Sequence, residues 1–573
     1  MRVCSALLRR VLPIVGLAFV CTAVFSPIGI AQDTAAPESA ATPSTNDLPP
    51  LPLSPIEKAQ QDKTALPLSL TEVTKMALQN NLDIAIQDTN ERAGRLSLVE
   101  RHAAYDPTLT AGANTGTSRR PNTNVFQRSE TGIFSESRSA SWNARFSLPV
   151  KTGGTFTANF STSRSDVNSI EAAFNPSYSS SFTMAFSQPL MRNLRIDSNR
   201  ANIRVANLDL AITDTQFKEN VTSTISRVQE QYWDLVAAIQ SYQISRNSVR
   251  LGQITLRDNI RKVEVGTLAP IGITEARADL ARRELDLITA EENILRQENA
   301  LRQLLSNDRK SPIWSQVIVP TDTPAFAEYK IDLATAIDTA IRNRTELERY
   351  ELQLRQADTQ LQLARNNRKW QWDINAQFGK SAAAGPQAYR VAIDPVTGAV
   401  IRIPQTPNEF VGGALRSYAI WFTEPIYNWQ LSISLDIPIR GRASDARIAQ
   451  QEIQKQRILM NRRGQEQTIQ VEIRNAVQRL ETNKKQLETA TISRQLSQEQ
   501  LDGEEKRFQA GLSENFRVLE RQNQLAQAEN TELQRLIDYR KSVIALQRSM
   551  NTLLEFSDIE LARGSSVRVP DLY

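Results

Sequence analysis

The sequence predicts a mainly α-helical, internally duplicated chain that also contributes strands to a β-barrel. Long proline-free helical segments occur in pairs joined by short turns, and other segments alternate strictly between apolar and polar residues. These features recur in the same order at nearly one spacing. Of the 573 residues, 6% are aromatic and 40% hydrophobic, which is typical of long helices with hydrated faces rather than of one thick core.

Residues 1–31 are predicted to be a secretory signal peptide. They contain a basic start, an apolar stretch and a small-residue cleavage site, namely Arg2, Arg9 and Arg10, then Val11 to Val24, then Gly29-Ile30-Ala31. The alternative is a membrane anchor, but the apolar stretch is short for a membrane span. Both cysteines of the chain, Cys4 and Cys21, lie in this leader, so the exported chain needs no disulfide.

Residues 32–67 are rich in Pro, Ala, Ser and Thr, which predicts an extended or disordered arm. A helix is predicted to follow from Leu70 to about Ala104, with Ser69 or Thr71 as its N-cap.

Residues 105–188 differ in character, because Ser, Thr, Asn and Gly become frequent and the apolar period becomes two. Four strands are predicted here, with a hairpin turn at Lys151 to Gly154. The alternating apolar positions are Trp142, Ala144, Phe146 and Leu148, then Phe156, Ala158 and Phe160, then Phe182, Met184 and Phe186, with a fainter strand at 108–114. A shorter version is predicted at 371–380 and 429–438, separated by a long loop over 381–428.

This alternation fits either a soluble half-buried sheet or an outer-membrane barrel with its apolar side chains toward lipid. Aromatic residues gather at strand ends, where the girdles of a barrel lie, although buried tryptophans are a common alternative: Trp370 and Trp372 at one end, and Trp421, Phe422, Tyr427 and Trp429 at the other. Every backbone group must be paired in lipid, and four to six strands are too few to close a barrel. Several copies must therefore pool their strands.

Two long helical hairpins are predicted at 191–311 and 441–556. The first arm of the first hairpin, 192–264, would be roughly 110 Å long at the rise of an α-helix. Pro189 and Pro438 mark the strand-to-helix junctions. The hairpins turn at two short segments, Val265, Gly266, Thr267 and Leu268 in the first, and Ala510, Gly511, Leu512 and Ser513 in the second.

Three ordered pairs of segments indicate an internal duplication. The turn glycines Gly266 and Gly511 are 245 residues apart, and the junction prolines are 249 apart. The segment that starts at Leu68 matches the one that starts at Ile331, 263 residues later. The predicted organisation is therefore a first repeat at 68–320, a second repeat at 321–557 and a C-terminal tail at 558–573.

Several classes of function are excluded by composition. The net charge is +5, or about +2 without the three arginines of the leader, and no basic stripe with interleaved aromatics is present, so nucleic acid is not an expected partner. The single histidine, His102, ends a predicted helix, where a cation is stabilising. Without a glycine-rich phosphate loop or clustered metal ligands, we expect no enzyme, no cofactor and no metal site.

The features from Leu68 to Phe556 resemble the TolC family of outer-membrane channel proteins. The resemblance depends on the paired helices at the start of each repeat, the junction prolines and the paired turns, that is, Leu70 to Asn81 and Leu333 to Asn343, Pro189 and Pro438, and Gly266 and Gly511. It implies a homotrimer whose strands form one β-barrel in outer-membrane lipid and whose coiled-coil-like hairpins form an α-barrel across the periplasm. It further implies passive export of small compounds or polypeptides, with a periplasmic adaptor protein and an inner-membrane transporter as partners.

The chain departs from the family in its strands. The family pattern has two strands per repeat and twelve in the trimer, whereas 105–188 contains four predicted strands. Either the additional pair lies outside the membrane or the trimer has eighteen strands, and the sequence favours twelve.

In the family, acidic residues just past the second turn glycine narrow the periplasmic end of the channel. The matching positions here are Arg517 and Glu520, with Glu514 as a further lining residue. Three copies of Glu520 would make a ring of negative potential, which Arg517 could neutralise through an i, i+3 pair. The alternative is an ordinary solvated helix face.

The helix tips, at the end far from the strands, are where we expect the adaptor to dock. The alternative function is a non-conducting structural or adhesion protein with a coiled-coil stalk and a soluble β-head. A continuous lipid-facing apolar band on the strands distinguishes the channel from that alternative.

Overall fold

The computed structural model describes residues 53–122, 133–168, 172, 174–387, 389–393, 395–396, 398–404 and 406–557. The predicted signal peptide, residues 32–52 of the predicted arm and the tail 558–573 lie outside the described residues.

A short helix and a short strand precede the two N-terminal helices, the four strands and the long hairpin of the first repeat. In chain order the elements are α1 (Pro55–Gln61), β1 (Ala65–Leu68), α2 (Leu70–Asn80), α3 (Leu82–His102), β2 (Thr108–Pro121), β3 (Phe134–Pro149), β4 (Thr155–Val167), β5 (Ser177–Pro189), α4 (Ser198–Glu264), α5 (Ile271–Leu305) and β6 (Val317–Pro320).

The second repeat has the same paired first helices and long hairpin, with two additional short helices and fewer strands in its sheet. Its elements are α6 (Leu333–Asn343), α7 (Thr345–Asn367), β7 (Gln371–Ala384), β8 (Tyr389–Ile393), β9 (Val400–Pro404), α8 (Ala414–Thr423), β10 (Asn428–Asp436), α9 (Arg442–Gln509), α10 (Asn515–Ser549) and α11 (Leu553–Phe556). The long helices α4 and α9 contain 67 and 68 residues, which makes each roughly 100 Å long. No helix in the described part of the chain is both long and apolar enough to cross a membrane.

The prediction of an extended or disordered arm up to residue 67 is wrong where helix α1 forms. Ser54 caps α1 reciprocally with Glu57, and Pro55 sits at the start of the helix, where its fixed φ is favourable. Strand β1 pairs in parallel with β6. Arg246 of α4 holds α1 through a 2.8 Å contact with Glu57. A Pro-rich segment is therefore ordered here by capping and by a partner strand.

The single helix predicted from Leu70 to Ala104 is two helices. Asn81 has an extended backbone, and its side-chain oxygen accepts hydrogen bonds from the N–H groups of Asp83 and Ile84. Asn81 thus caps α3 and ends α2. In the second repeat Arg344 separates α6 from α7 with a similar extended backbone.

Each repeat packs its first helix against its own long helix. Val73 and Ala77 of α2 join the core around Val221 and Ile225 of α4, and all four are fully buried. Ala336 and Ala340 of α6, exactly 263 residues after Val73 and Ala77, join a second core around Ile469 and Ile473 of α9. The equivalent packing gives the predicted duplication a structural basis.

Six strands form one antiparallel sheet in the order β10-β7-β5-β4-β3-β2. The four strands predicted within 105–188 are all present, and Gly153, with φ +87°, occupies the turn between β3 and β4. The additional hairpin predicted around Lys151 lies inside the sheet, between β5 and β2. The hairpin is thus continuous with the other strands, whereas its position outside the membrane, on which the preference for twelve strands depended, stays a prediction.

The segment 381–428, predicted as a long loop, contains regular structure. Strands β8 and β9 pair with each other, and α8 packs on the main sheet near β5 and β7. Trp421 and Phe422 lie on α8 rather than at the end of a strand, which corrects their assignment to an aromatic girdle. Their apolar stretch forms a helix because it packs against the sheet, a tertiary effect that local alternation does not report.

Candidate membrane wall and helix tips

The two faces of the six-stranded sheet differ in chemistry. One row across all six strands consists of Leu109, Phe146, Ala158, Met184, Phe378 and Trp429. The adjacent row on the opposite face consists of Thr108, Ser147, Thr157, Ala185, Gln377 and Gln430. We call the first face the apolar wall and the second the polar wall.

Much of the apolar wall is open to its surroundings. Trp429 is 71% exposed, and Leu109, Leu431, Ile433 and Leu435 are also exposed. A soluble half-buried sheet would cover such a face with a second layer. An apolar surface of this kind is typical of a face that contacts lipid or another protein.

Charged residues follow the apolar rows at the end of the sheet that is far from the long helices. Arg119 and Arg138 both contact Glu136, at 2.6 and 3.0 Å, and Arg164 contacts Asp166 at 2.8 Å. Because charged side chains are costly in hydrocarbon, this ionic belt marks one boundary of the apolar wall.

The sheet has two free edges. Within the part of the chain that the structure describes, β2 pairs only with β3, and β10 pairs only with β7. A sheet in lipid must pair such edges.

The structure places the two junction prolines between a strand and a long helix. Pro189 is the last residue of β5, and Asp197 then caps α4 by accepting a hydrogen bond from the N–H of Arg200. Pro438 lies between the end of β10 and the start of α9. The strands therefore lead directly into the helical hairpins.

The two predicted turns form the ends of the hairpins, which we call the helix tips. Gly266 and Gly511 have φ values of +76° and +70°, a conformation that favours glycine. The N–H of Thr267 donates to Lys262 O at 2.8 Å, and the N–H of Leu512 donates to Arg507 O at 2.9 Å. Both turns therefore end their helices with the same Schellman hydrogen bond.

The tips lie side by side and expose apolar groups. The ammonium of Lys262 lies 3.9 Å from the centroid of the Phe508 ring, which links the two hairpins by a cation–π contact. Val265, Ile271, Leu512 and Phe516 are exposed at this end. Exposed apolar residues surrounded by polar ones are typical of a protein docking site.

The three residues predicted to line a constriction lie just past the second tip. Glu514 precedes α10, Arg517 and Glu520 lie in its first turns, and all three are exposed. The predicted pair between Arg517 and Glu520 is absent from the ion pairs of the described residues. Glu520 instead accepts a hydrogen bond at 3.2 Å from Gln524, one turn further along the helix.

Sequence reasoning missed a buried polar network above the tips. Arg283 of α5, with a side chain only 2% exposed, contacts Asp279 at 2.6 Å. Arg283 donates to the Gln522 oxygen at 3.1 Å, and Asn523 donates to Asp279 at 3.0 Å, so both residues of the pair reach α10. Burial lowers the pKa of the Arg283 guanidinium, and the Asp279 charge opposes this shift. The four-residue spacing of Asp279 and Arg283 is a local signal, but their partners lie about 240 positions away.

The described residues contain no cluster of three or more histidine, cysteine or acidic side chains that could hold a metal ion. The expectation of no metal site stays a prediction for the chain as a whole.

Comparison with known families gives one match. The model of the outer membrane efflux protein family matches residues 155–307, which hold β4, β5, α4 and α5. No match was found among curated protein sequences.

Solved structures match over most of the chain. The Campylobacter jejuni CmeC outer membrane channel shares 16% identity and a TM-score of 0.55, over 84% of this chain and 86% of that one. A membrane protein from Pseudomonas aeruginosa shares 15% identity and a TM-score of 0.59, over 84% and 90%. The outer membrane protein VceC from Vibrio cholerae shares 13% identity and a TM-score of 0.56, over 84% and 95%. At these identities the likeness establishes the fold.

The resemblance to the TolC family is confirmed. The predicted fold class is confirmed as well, because the TolC-like chain combines long helices with antiparallel strands in a duplicated order. The family whose model matches is one of outer membrane efflux proteins and is not an enzyme family. The TolC-like chain is therefore placed in the outer membrane.

Proposed function

We propose that three copies of this chain form the outer membrane channel of a tripartite efflux pump or type I secretion system. One observation carries the proposal: a single sheet has an exposed apolar wall, a polar wall and two free edges, and leads directly into two long helical hairpins. The apolar wall faces lipid, the polar wall lines water, and the hairpins extend into the periplasm.

We infer that the barrel of the trimer has eighteen strands. Each chain supplies six strands to one sheet, and joining β2 of one copy to β10 of the next pairs every free edge. Removing the β3–β4 hairpin to reach twelve would separate β5 from β2. The diameter of a barrel grows with its strand number, so this lumen is wider than that of a twelve-stranded channel.

The proposed conduction is passive and needs no cofactor. Serine, threonine, asparagine and glutamine side chains of the polar wall line the lumen, where they suit hydrated cargo, either small compounds or polypeptides. A non-conducting adhesion protein with a soluble β-head would not need an exposed apolar wall.

The proposed partners dock at the helix tips. The exposed residues of both turns, Val265 in the first and Leu512 in the second, suit a periplasmic adaptor protein that connects the channel to an inner-membrane transporter. The channel opens when these partners spread the tips. Glu514, Arg517 and Glu520 then line the narrow end, and three copies of each form a charged ring.

The function is tested by conductance of the purified protein in a planar lipid bilayer. We expect a trimer that conducts ions, with a conductance limited by the narrow end at the helix tips. Replacing Glu520 by Gln lowers the cation preference, whereas Glu264→Gln at the other tip leaves it unchanged. A soluble, non-conducting monomer in detergent-free buffer overturns the proposal and favours the stalk-and-head alternative.

A further inference from the structure

Helix α8 packs on the apolar wall rather than beyond the sheet. The rings of Tyr418 and Trp421 lie 5.7 and 5.5 Å from the ring of Phe160. Trp421 also lies 6.2 Å from Phe182, the neighbour of Phe160 in the same row of the wall. Because the apolar wall faces lipid in the proposed channel, α8 lies on the outside of the barrel.

The opposite side of α8 is also apolar. Leu415 is 82% exposed and Phe422 is 87% exposed. Ala419 lies between them at helical spacing, on the same side. Arg416, the one charged residue of α8, donates from Nε to Glu409 O at 2.9 Å. A helix that faces water normally has a polar outer side, so these exposed residues indicate a non-aqueous surrounding.

The C-terminus of α8 also covers a lysine on the apolar wall. Lys380 lies in the same row as Phe160 and Phe182. Its ammonium donates to Trp421 O at 2.5 Å. An unpaired ammonium is costly in hydrocarbon, and carbonyl groups at a helix C-terminus attract cations. Among the described residues, Trp421 O is the acceptor recorded for Lys380, so α8 satisfies this ammonium while it stays on the wall.

The first residues of α8 show at which level of the apolar wall the helix lies. A cavity is lined by Ala414 and Tyr418 of α8 together with Arg164 and Tyr178 of the sheet. Arg164 belongs to the ionic belt, because it contacts Asp166. Helix α8 therefore lies where the apolar wall gives way to charge, which is the level of a membrane interface.

We propose that α8 is an interfacial helix whose outer side, Leu415, Ala419 and Phe422, is buried among the acyl chains of outer-leaflet lipid. Continuity with the apolar wall identifies lipid as the occupant. The inference rests on the proposed function. Helix α8 would anchor the channel in lipid in addition to the strands, and it would shield the Lys380 ammonium from hydrocarbon.

The proposal is tested with single cysteines that carry an environment-sensitive fluorophore. Both cysteines of the sequence lie in the predicted leader, so labelling is specific. Leu415→Cys and Phe422→Cys are the test positions, Ile433→Cys on the apolar wall is the lipid control, and Leu285→Cys, exposed on α5, is the aqueous control. The labelled full-length protein is reconstituted in phosphatidylcholine vesicles that contain nitroxide-labelled lipid, and iodide serves as the aqueous quencher.

We expect lipid nitroxides to remove most of the fluorescence at 415, 422 and 433 and little at 285, with iodide showing the reverse pattern. If 433 is quenched by lipid while 415 and 422 respond only to iodide, the inference for α8 is overturned and the proposed channel function is unaffected. If 415 and 422 resist both quenchers, protein covers α8, and the inference is equally overturned. If 433 itself is not quenched by lipid, the proposed function fails.

Discussion

In the proposed channel, the network that joins Arg283 and Asp279 to α10 is predicted to hold the helix tips together. Opening by spreading the tips requires α10 to move away from α5. The double substitution Gln522→Leu with Asn523→Leu removes both hydrogen bonds between these helices and leaves the ion pair of Arg283 and Asp279 intact. Replacing Arg283 itself is less informative, because a buried carboxylate that loses its partner destabilises the fold by about 3–5 kcal/mol.

The magnitude follows from the two bonds. Each joins a charged group to an amide and contributes about 1.5–3 kcal/mol. The lower value gives about 3 kcal/mol per chain, and since each 1.4 kcal/mol is tenfold, the ratio of open to closed tips rises about 100-fold for each chain of the trimer. Lateral water access to Asn523, which is partly exposed, makes the lower value the appropriate one.

The assay is the open probability of single channels in planar bilayers. Gln498→Leu is the matched control, because this amide on α9 donates its hydrogen bond to the exposed Asp502 of the same helix. If the double variant opens no more often than the control, the network does not hold the channel closed, and the reasoning is refuted.

Four further predictions test other parts of the structure. Gly511→Ala is expected to lower the free energy of unfolding by about 1–2 kcal/mol, since alanine is strained at positive φ. Gly464→Ala inside α9 is expected to raise it by about 0.5–1 kcal/mol. Thermal unfolding of both variants checks this difference, and equal effects would contradict it. Ile433→Lys on the apolar wall should impair membrane insertion by about 2–4 kcal/mol, while the adjacent Ser432→Lys on the polar wall should be tolerated. Heat-modifiability on gels measures folding, and a reversed order would show that the walls are misassigned. Hydrogen bonds from Arg246 and Ser54 lower the pKa of Glu57 to about 2, so the docking of α1 should be complete above the ordinary pKa of 4.5 and weaken only as the pH falls toward 2. Amide protection factors of α1, which correct for the pH dependence of intrinsic exchange, should stay constant from pH 7 to 5 and fall in Glu57→Gln; protection that falls in the wild type over that range would exclude the role. Val265→Glu combined with Leu512→Glu should abolish efflux and leave the trimer intact, whereas Leu285→Glu on the side of α5 should leave efflux unchanged. Efflux that survives the tip substitutions would rule out docking at the tips.

The long hairpins were predictable because their signals are local. Helix-forming runs without proline define α4 and α9, and Gly266 and Gly511 end them at a conformation that other residues adopt with strain. Strict alternation likewise identified the strands, since side chains of one strand alternate between two environments.

The elements that the sequence did not predict depend on contacts between residues far apart in the chain. Helix α8 depends on Phe160 and Lys380 of the sheet, and its own apolar stretch resembles a strand end. Strand β1 depends on pairing with β6, about 250 positions later. The position of the β3–β4 hairpin within the sheet depends on the strand order, which alternation does not encode.

The candidate site was predicted in outline. The tips and the junction prolines lie at helix ends, so their positions followed from the helices. The burial of the Arg283–Asp279 pair could not be predicted in this way, because its hydrogen-bond partners belong to the other repeat: Gln522 accepts from Arg283, and Asn523 donates to Asp279. An amphipathic pattern does not show which helix of a duplicated chain lies beside another.

A cryo-electron microscopy reconstruction of the detergent-purified protein, at a resolution that separates neighbouring strands, tests most directly whether copies of this chain share one barrel. We expect threefold symmetry, a wall of eighteen strands and a β2–β10 contact at each of the three seams. A ring of twelve strands, or a single copy whose sheet edges stay open, would contradict the account.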